Sequence, residues 1–254
     1  MSRLPVILSL PHAGLSIPPE VDERCLLTDA DLVADSDEGA AEIYGPLERH
    51  VQALLTTDVA RAIVDLDRPE HDRGPDGVVK QRTCWNIPVY PEPLDGQTIE
   101  TLLERHHRPF HRRLAAAAEG PWLGVDCHTM APFGPPVGPD PGRDRPRVCV
   151  SASPDSCPPE WLSLIVTRLG IAFHCAVTLN DPLRGGFILN SRPGGIPWIQ
   201  ISISRTRWIT FEWKTRAVLD ALGAVIREMK RRGFGGRQRT KVACRDVSSR
   251  TEIA

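Results

Sequence analysis

Two histidines follow apolar runs that read as buried strands, and each stands where its strand would end. Trp122-Leu123-Gly124-Val125 leads into Asp126-Cys127-His128-Thr129-Met130, and Val6-Ile7-Leu8-Ser9-Leu10 leads into Pro11-His12-Ala13-Gly14. Open α/β sheets gather ligands beyond the carboxyl ends of their strands, so the pattern predicts two imidazoles meeting over one sheet edge. Two imidazoles and a carboxylate form a three-ligand metal set that keeps a position open for water. Either histidine taken alone is equally consistent with a hydrogen-bonded structural role. Cys127 alternates with Asp126 and His128, so it faces the opposite side of the strand and reads as core rather than as a thiol nucleophile.

Four other stretches carry usable groups. Asp35-Ser36-Asp37-Glu38 opens a helical pattern through Ala40, Ile43 and Leu47; these acids cap the helix, or Asp37 is the carboxylate of the metal set. Asp65-Leu66-Asp67-Arg68-Pro69 closes another apolar run. The planar fork of Arg68 suits a substrate carboxylate or carbonyl, and equally a structural salt bridge. Arg184-Gly185-Gly186-Phe187-Ile188 sets paired glycines before an apolar run, which permits close backbone approach to a ligand and is also common in turns. His106, His107 and His111 share one helical pattern. They read as polar or packing residues, with His111 best placed to reach a site because it follows a kink expected at Pro109.

The elements needed to position these groups alternate. Strands are expected at 6–10, 51–55, 62–66, 122–127, 147–150, 175–179, 186–189 and 198–203, and helices at 34–50, 97–118, 159–170 and 207–231. That order predicts an α/β fold, a three-layer sandwich around a central, mixed β-sheet. A proline-rich stretch, 132–146, reads as a long loop beside the His128 edge, of the kind that forms lids or binding loops. The 254 residues, 41% hydrophobic, suit one domain over about 1–230 followed by a basic, flexible tail over 231–254. A net charge of −1 gives no drive toward nucleic acid or membrane, and the tail alone suggests an RNA-contacting arm. No apolar run approaches a membrane span or a secretory signal. Seven dispersed cysteines without a Cys-x-x-Cys pair point to reduced thiols and a cytoplasmic location.

Taken in order, Pro11-His12-Ala13-Gly14, Ser36-Asp37, Val64-Asp65-Leu66-Asp67-Arg68-Pro69, Pro109-Phe110-His111, Asp126-Cys127-His128-Thr129-Met130 and Arg184-Gly185-Gly186-Phe187-Ile188 with Gln200 after it resemble the N-formylglutamate amidohydrolase family. That family is a branch of the zinc-carboxypeptidase-like hydrolases. The likeness runs over about residues 5–215. It implies a zinc-exopeptidase-like sheet, one divalent metal (zinc) on His12, Asp37 and His128, and hydrolysis of the amide bond of an N-formyl or N-acyl amino acid. It also implies a substrate held by Arg68 or Arg184, with Gly185, Gly186 and His111 beside it. The chain departs from the family pattern at three points: Gln200-Ile201-Ser202 replaces Gln-x-Glu, Val150-Ser151 replaces Gly-Asp, and Asp67 replaces an asparagine. A serine hydroxyl is no general base, so Glu38, or Glu212 on the following helix, is the expected substitute. The alternative is a diverged member that binds a ligand without efficient catalysis.

Overall fold

The computed structural model describes residues 2–234. Its centre is a six-stranded sheet of β1 (Leu4–Leu10), β2 (Val51–Thr56), β3 (Leu123–Met130), β4 (Val148–Ser151), β5 (Val177–Leu179) and β6 (Trp198–Ser204), in the order β2-β1-β3-β6-β4-β5. β2, β1, β3 and β6 are mutually parallel, β4 runs antiparallel to β6, and β5 pairs parallel with β4. The sheet is therefore mixed, and helices cover both faces, as the alternation of elements predicts.

One face carries Val6, Leu8, Val125, Cys127, Ile199 and Ile201. It packs under α2 (Ala40–Tyr44), α5 (Pro159–Phe173) and α7 (Phe211–Arg231). In α7 the buried positions Val218, Leu222, Val225 and Met229 recur at helical spacing, and the Thr210 side chain accepts the N–H of Trp213 to cap its start. The second face is split along the strands. Its amino-terminal half is apolar, with Ile7 and Trp198 under α4 (Arg108–Ala117) and α6 (Phe187–Ser191). Its carboxyl-terminal half is polar. Ser9, Asp126 and Gln200 lie side by side in register, and His128 pairs with Ser202 one pleat further on. All of these side chains are buried, so the sheet itself builds a polar floor at one end.

Several local expectations change. β3 runs on to Met130, so His128 sits inside the strand rather than beyond it. Residues 62–66 form turns, not a strand; a short buried apolar run has no periodicity that separates the two. The run 186–189 enters α6 instead of a strand, because Asp67 accepts the N–H of Ile188 and starts a helical turn. The helix expected over 34–50 is broken. α1 (Asp29–Asp35) ends before Ser36, α2 starts after Gly39 at φ +84°, and a 3-10 turn follows at Gly45–Arg49. Pro109 does not split its helix, since α3 (Gly96–Leu102) continues through a π-type turn at Leu103–His107 into α4. A wider turn gives the proline ring room. In the tail, Phe234 packs on Trp161; the remainder, from Gly235 on, lies outside the described residues.

Gly124 faces the Trp198 ring across β3 and β6 so closely that a Cβ would overlap it. Gly124→Ala should therefore cost about 1–3 kcal/mol of stability, a fall in melting temperature of roughly 3–10 °C, read by thermal unfolding. An unchanged transition would show that the indole has free space to move.

Candidate active site

His12 sits in the turn that leaves β1, and His128 reaches up from β3 beside it, with ring centroids 4.9 Å apart. Asp37 occupies the break between α1 and α2. Its N–H donates to the His12 carbonyl (3.1 Å), and its carbonyl accepts the N–H of Ala40 (2.9 Å). One of its carboxylate oxygens, Oδ2, also accepts the N–H of Thr129 (3.2 Å). The helix break that the sequence pattern missed is thus what turns Asp37 toward the histidines. One donor atom from each of His12, Asp37 and His128 lies within 4.8 Å of the others.

Each imidazole is fixed from behind. Nε2 of His12 donates to Asp65 Oδ1 (2.7 Å), and Nε2 of His128 donates to Asp126 Oδ2 (2.9 Å). Both Nδ1 atoms are left toward Asp37 Oδ2, at 3.8 Å from His12 and 2.8 Å from His128. Nδ1 of His12 is buried with no hydrogen-bond partner among the described residues. A buried imidazole nitrogen without a partner beside a carboxylate fits a cation, and a carboxylate behind a histidine is the usual means of aiming it at a metal. The residues present therefore suit a divalent ion on His12, Asp37 and His128.

The charges agree. Burial opposes ionisation of His12, but the Asp65 and Asp37 carboxylates together outweigh it and hold the ring above its ordinary pKa. His128 is held well above, because Asp126 and Asp37 overcome the same burial. Asp37 lies well below the usual carboxylate range despite burial, through His128 and His12. Asp67 moves the other way, up to about 7, because burial and the neighbouring Asp126 both disfavour its charge. A second possible donor group, Asp67, Asp126 and His128, shares the His128 ring.

Above these residues opens a cleft of about 400 Å³, a size suited to a small ligand. The proline-rich loop forms one wall through Pro135, Val137 and Pro139. Arg68, Arg184, Gly185 and Gly186 line the cleft. Gly185 has φ +83°, and a Cβ on Gly186 would collide with the Asp67 carboxylate, so both glycines are needed there. Arg68 is engaged, 2.6 Å from Asp76 and 3.8 Å from Asp72, whereas Arg184 has no carboxylate partner among the described residues. Glu38 is exposed, and Glu212 lies on the first turn of α7; neither lines the cleft. Arg61, Lys80 and Arg205 escaped the sequence reading. Arg61 and Lys80 approach Asp65 at 3.2 and 3.6 Å, and Arg205 holds the carbonyls of Ala34 and Ser36 at the helix break. The i, i+4 spacing of Arg61 and Asp65 is a signal that was available.

A sequence profile of the family described as N-formylglutamate amidohydrolase matches residues 4–208. An N-formylglutamate deformylase from Pseudomonas aeruginosa is 28% identical over 248 residues, covering 89% of this chain and 91% of its own. One from Pseudomonas putida is 27% identical over 119 residues, 44% of each chain. Among solved structures, an N-formylglutamate amidohydrolase from Ralstonia eutropha JMP134 superposes with a TM-score of 0.73 at 19% identity, covering 92% of this chain and 96% of its own. A gene product of Agrobacterium tumefaciens gives 0.71 at 21%, covering 89% and 91%. These two share the fold. No helix among the described residues is long and apolar enough to cross a membrane.

His111 does not line the cleft. Its Nε2 donates to the carbonyl of Leu66 (2.9 Å), as that of His107 does to Arg68 (2.9 Å), so the pair braces the turn that carries Asp65, Asp67 and Arg68. Burial, and secondarily His107, pushes His111 down to about 4 from 6.5. The unfolded chain then binds a proton below about 6.5 that the folded chain refuses until about 4. The stability contributed by the neutral ring is present above pH 6.5 and lost as pH falls toward 4. Thermal unfolding at pH 7 and pH 5 should show a larger drop for the parent than for His111→Gln, which keeps an N–H donor without the titration. Equal drops in the two proteins would refute this role.

Proposed function

The chain belongs to the N-formylglutamate amidohydrolase family, and on that premise we propose that it is a metal-dependent hydrolase of the amide bond of an N-formyl or N-acyl amino acid. The observation that carries the reading is the pair of imidazoles whose Nε2 atoms are occupied by Asp65 and Asp126 while both Nδ1 atoms turn to Asp37. The relatives named as N-formylglutamate deformylases support a substrate like formylglutamate.

His12, Asp37 and His128 would hold the ion, zinc being the ion best suited to two imidazoles and a carboxylate. When bound, such an ion supplies Lewis acidity, which activates water toward an amide carbonyl near neutral pH. The chain's own groups do the rest. Asp65 and Asp126 fix the tautomer and aim of both rings. Arg184, whose fork has no partner among the described residues, receives the substrate carboxylate, while Arg68, bridged to Asp76, shapes the same wall. The proline-rich loop and the 182–186 turn enclose the substrate and limit water. Ser151 steadies that turn, donating to the carbonyl of Leu183 (2.8 Å).

A second reading rests on Ser202. This side chain stands beside His128 in register and accepts from Gln200 at 3.2 Å, and a hydroxyl there takes up no proton at neutral pH. On that reading the protein binds acyl amino acids without efficient turnover.

Metal analysis of purified protein beside His128→Ala separates the outcomes. About one equivalent of zinc in the parent, lost in the variant together with hydrolysis of N-formylglutamate or a related acyl amino acid, is the expected result. Metal without turnover on a panel of acyl amino acids, or no metal in either protein, would favour the binding protein over the hydrolase. Arg184→Ala should raise KM for carboxylate-bearing substrates by roughly 10–100-fold, the worth of a charge-assisted hydrogen bond, with kcat changed little.

A further inference from the structure

Amide hydrolysis needs a group that takes a proton from the attacking water and returns one to the departing amine. Four carboxylates line the cleft: Asp37, Asp65, Asp67 and Asp76. Asp37 is committed to the ion. Both oxygens of Asp65 are taken, by His12 and by Arg61 with Lys80. Asp76 is bridged by Arg68 and Lys80. Asp67 differs. Its Oδ1 accepts the N–H of Ile188 (2.8 Å), which fixes the side chain, while its Oδ2 makes no hydrogen bond among the described residues and lies 3.9 Å from Nε2 of His128. The position is built from both sides: the Asp67 N–H donates to Asp65 Oδ1 (3.0 Å), and its carbonyl accepts the N–H of Phe187 (2.9 Å). Gly186 leaves the space that the carboxylate occupies.

We propose that Asp67 is the proton-transferring carboxylate of this cleft, a catalytic role that depends on the amidohydrolase reading and extends it. Water oxygen bonds to the acyl carbon as one of its protons passes to Oδ2 of Asp67. The C–N bond then breaks, and that proton goes to the amine nitrogen. The carboxylate is regenerated, and the products are the acid and the free amino acid. Ser202 then needs no carboxylate, because the proton leaves from the turn at 65–69 rather than from β6.

The test uses the metal-loaded parent and Asp67→Asn, which keeps an acceptor for Ile188 and nearly the same shape. Asp67→Asn should lower kcat by about 10²–10⁴-fold, with KM, metal content and melting temperature close to those of the parent. A second readout needs no turnover. A hydroxamic acid analogue of the substrate binds as its anion and hands its proton to the nearest acceptor. Calorimetry in two buffers of different ionisation enthalpy counts that proton. The parent should release none to the buffer, and the variant about one per ligand bound. A parent that releases the proton, or an active parent whose Asp67→Asn variant keeps kcat within threefold, overturns the proposal. A parent with bound metal but no turnover on any acyl amino acid would instead defeat the amidohydrolase reading, and the proton count on that parent would still decide where the proton goes.

Discussion

Everything around this cleft answers to one constraint: four aspartates, 37, 65, 67 and 126, crowd two imidazoles in a setting nearly closed to water. Carboxylates removed from water carry a large desolvation cost unless positive charge meets them. Two imidazoles cannot meet four carboxylates, and the surroundings supply the rest. Arg61 and Lys80 close on Asp65, and Arg205 approaches Asp37 Oδ1 at 3.9 Å while gripping the carbonyls at the helix break. Lys80 is itself fully buried, which only such a set of acids makes tolerable. A divalent ion held by His12, Asp37 and His128 would complete the balance, so metal binding and folding stability are expected to be linked in this fold.

The sheet makes that concentration of charge possible. In parallel strands, side chains in register line up in rows across the strands, and one face alternates strictly with the other. Ser9, Asp126 and Gln200 therefore share a row, with His128 and Ser202 in the next, while Cys127 and Ile201 between them are core. The same face is apolar at its other end, where Trp198 fills the space left by Gly124. Polar chemistry at one end of a strand is thus anchored by tight packing at the other, without a break in the hydrogen-bond ladder. The turn at 65–69 is not a strand and needs separate support, which comes from the π-type turn and the two histidines of the covering helix. His107 and His111 act on the site only through that backbone.

How much of this was legible depended on whether the information was local. His12 and His128 could be found because an apolar run ending in a polar residue is a short-range signal. Asp37 emerged from motif order, although the pattern around it read as one continuous helix. Tertiary hydrogen bonds, from its N–H to the His12 carbonyl and from Arg205 to the carbonyls of Ala34 and Ser36, hold that break. Glu38 was a natural candidate as its neighbour, but the same backbone fixing turns Asp37 inward and leaves Glu38 in solvent. Arg61 and Lys80 each have one acid four residues away, Asp65 and Asp76, but the approach of Lys80 to Asp65 and the grip of Arg205 on the helix break join residues distant in sequence, and no periodicity marks them. The segment 62–66 misled because burial, not extended pairing, is what its apolar residues report.

The pairing of Asp67 with Gly186 joins two turns distant in the sequence. Asp67 belongs to a turn near the middle of the first half of the chain, and Gly186 to the turn before α6. Neither has a local reason to be what it is. A larger residue at 186 would drive the carboxylate out of the cleft, and a residue at 67 without a side-chain acceptor at that length would leave the N–H of Ile188 in the first turn of α6 without its oxygen. The two oxygens thus do two jobs: Oδ1 accepts the N–H of Ile188 in the first turn of α6, and Oδ2 makes no hydrogen bond among the described residues and is open to the cleft. A carboxylate held by one oxygen is free to act with the other without losing its position. That division of labour keeps a group raised in pKa by burial and by Asp126 both ordered and available in a cleft already rich in negative charge.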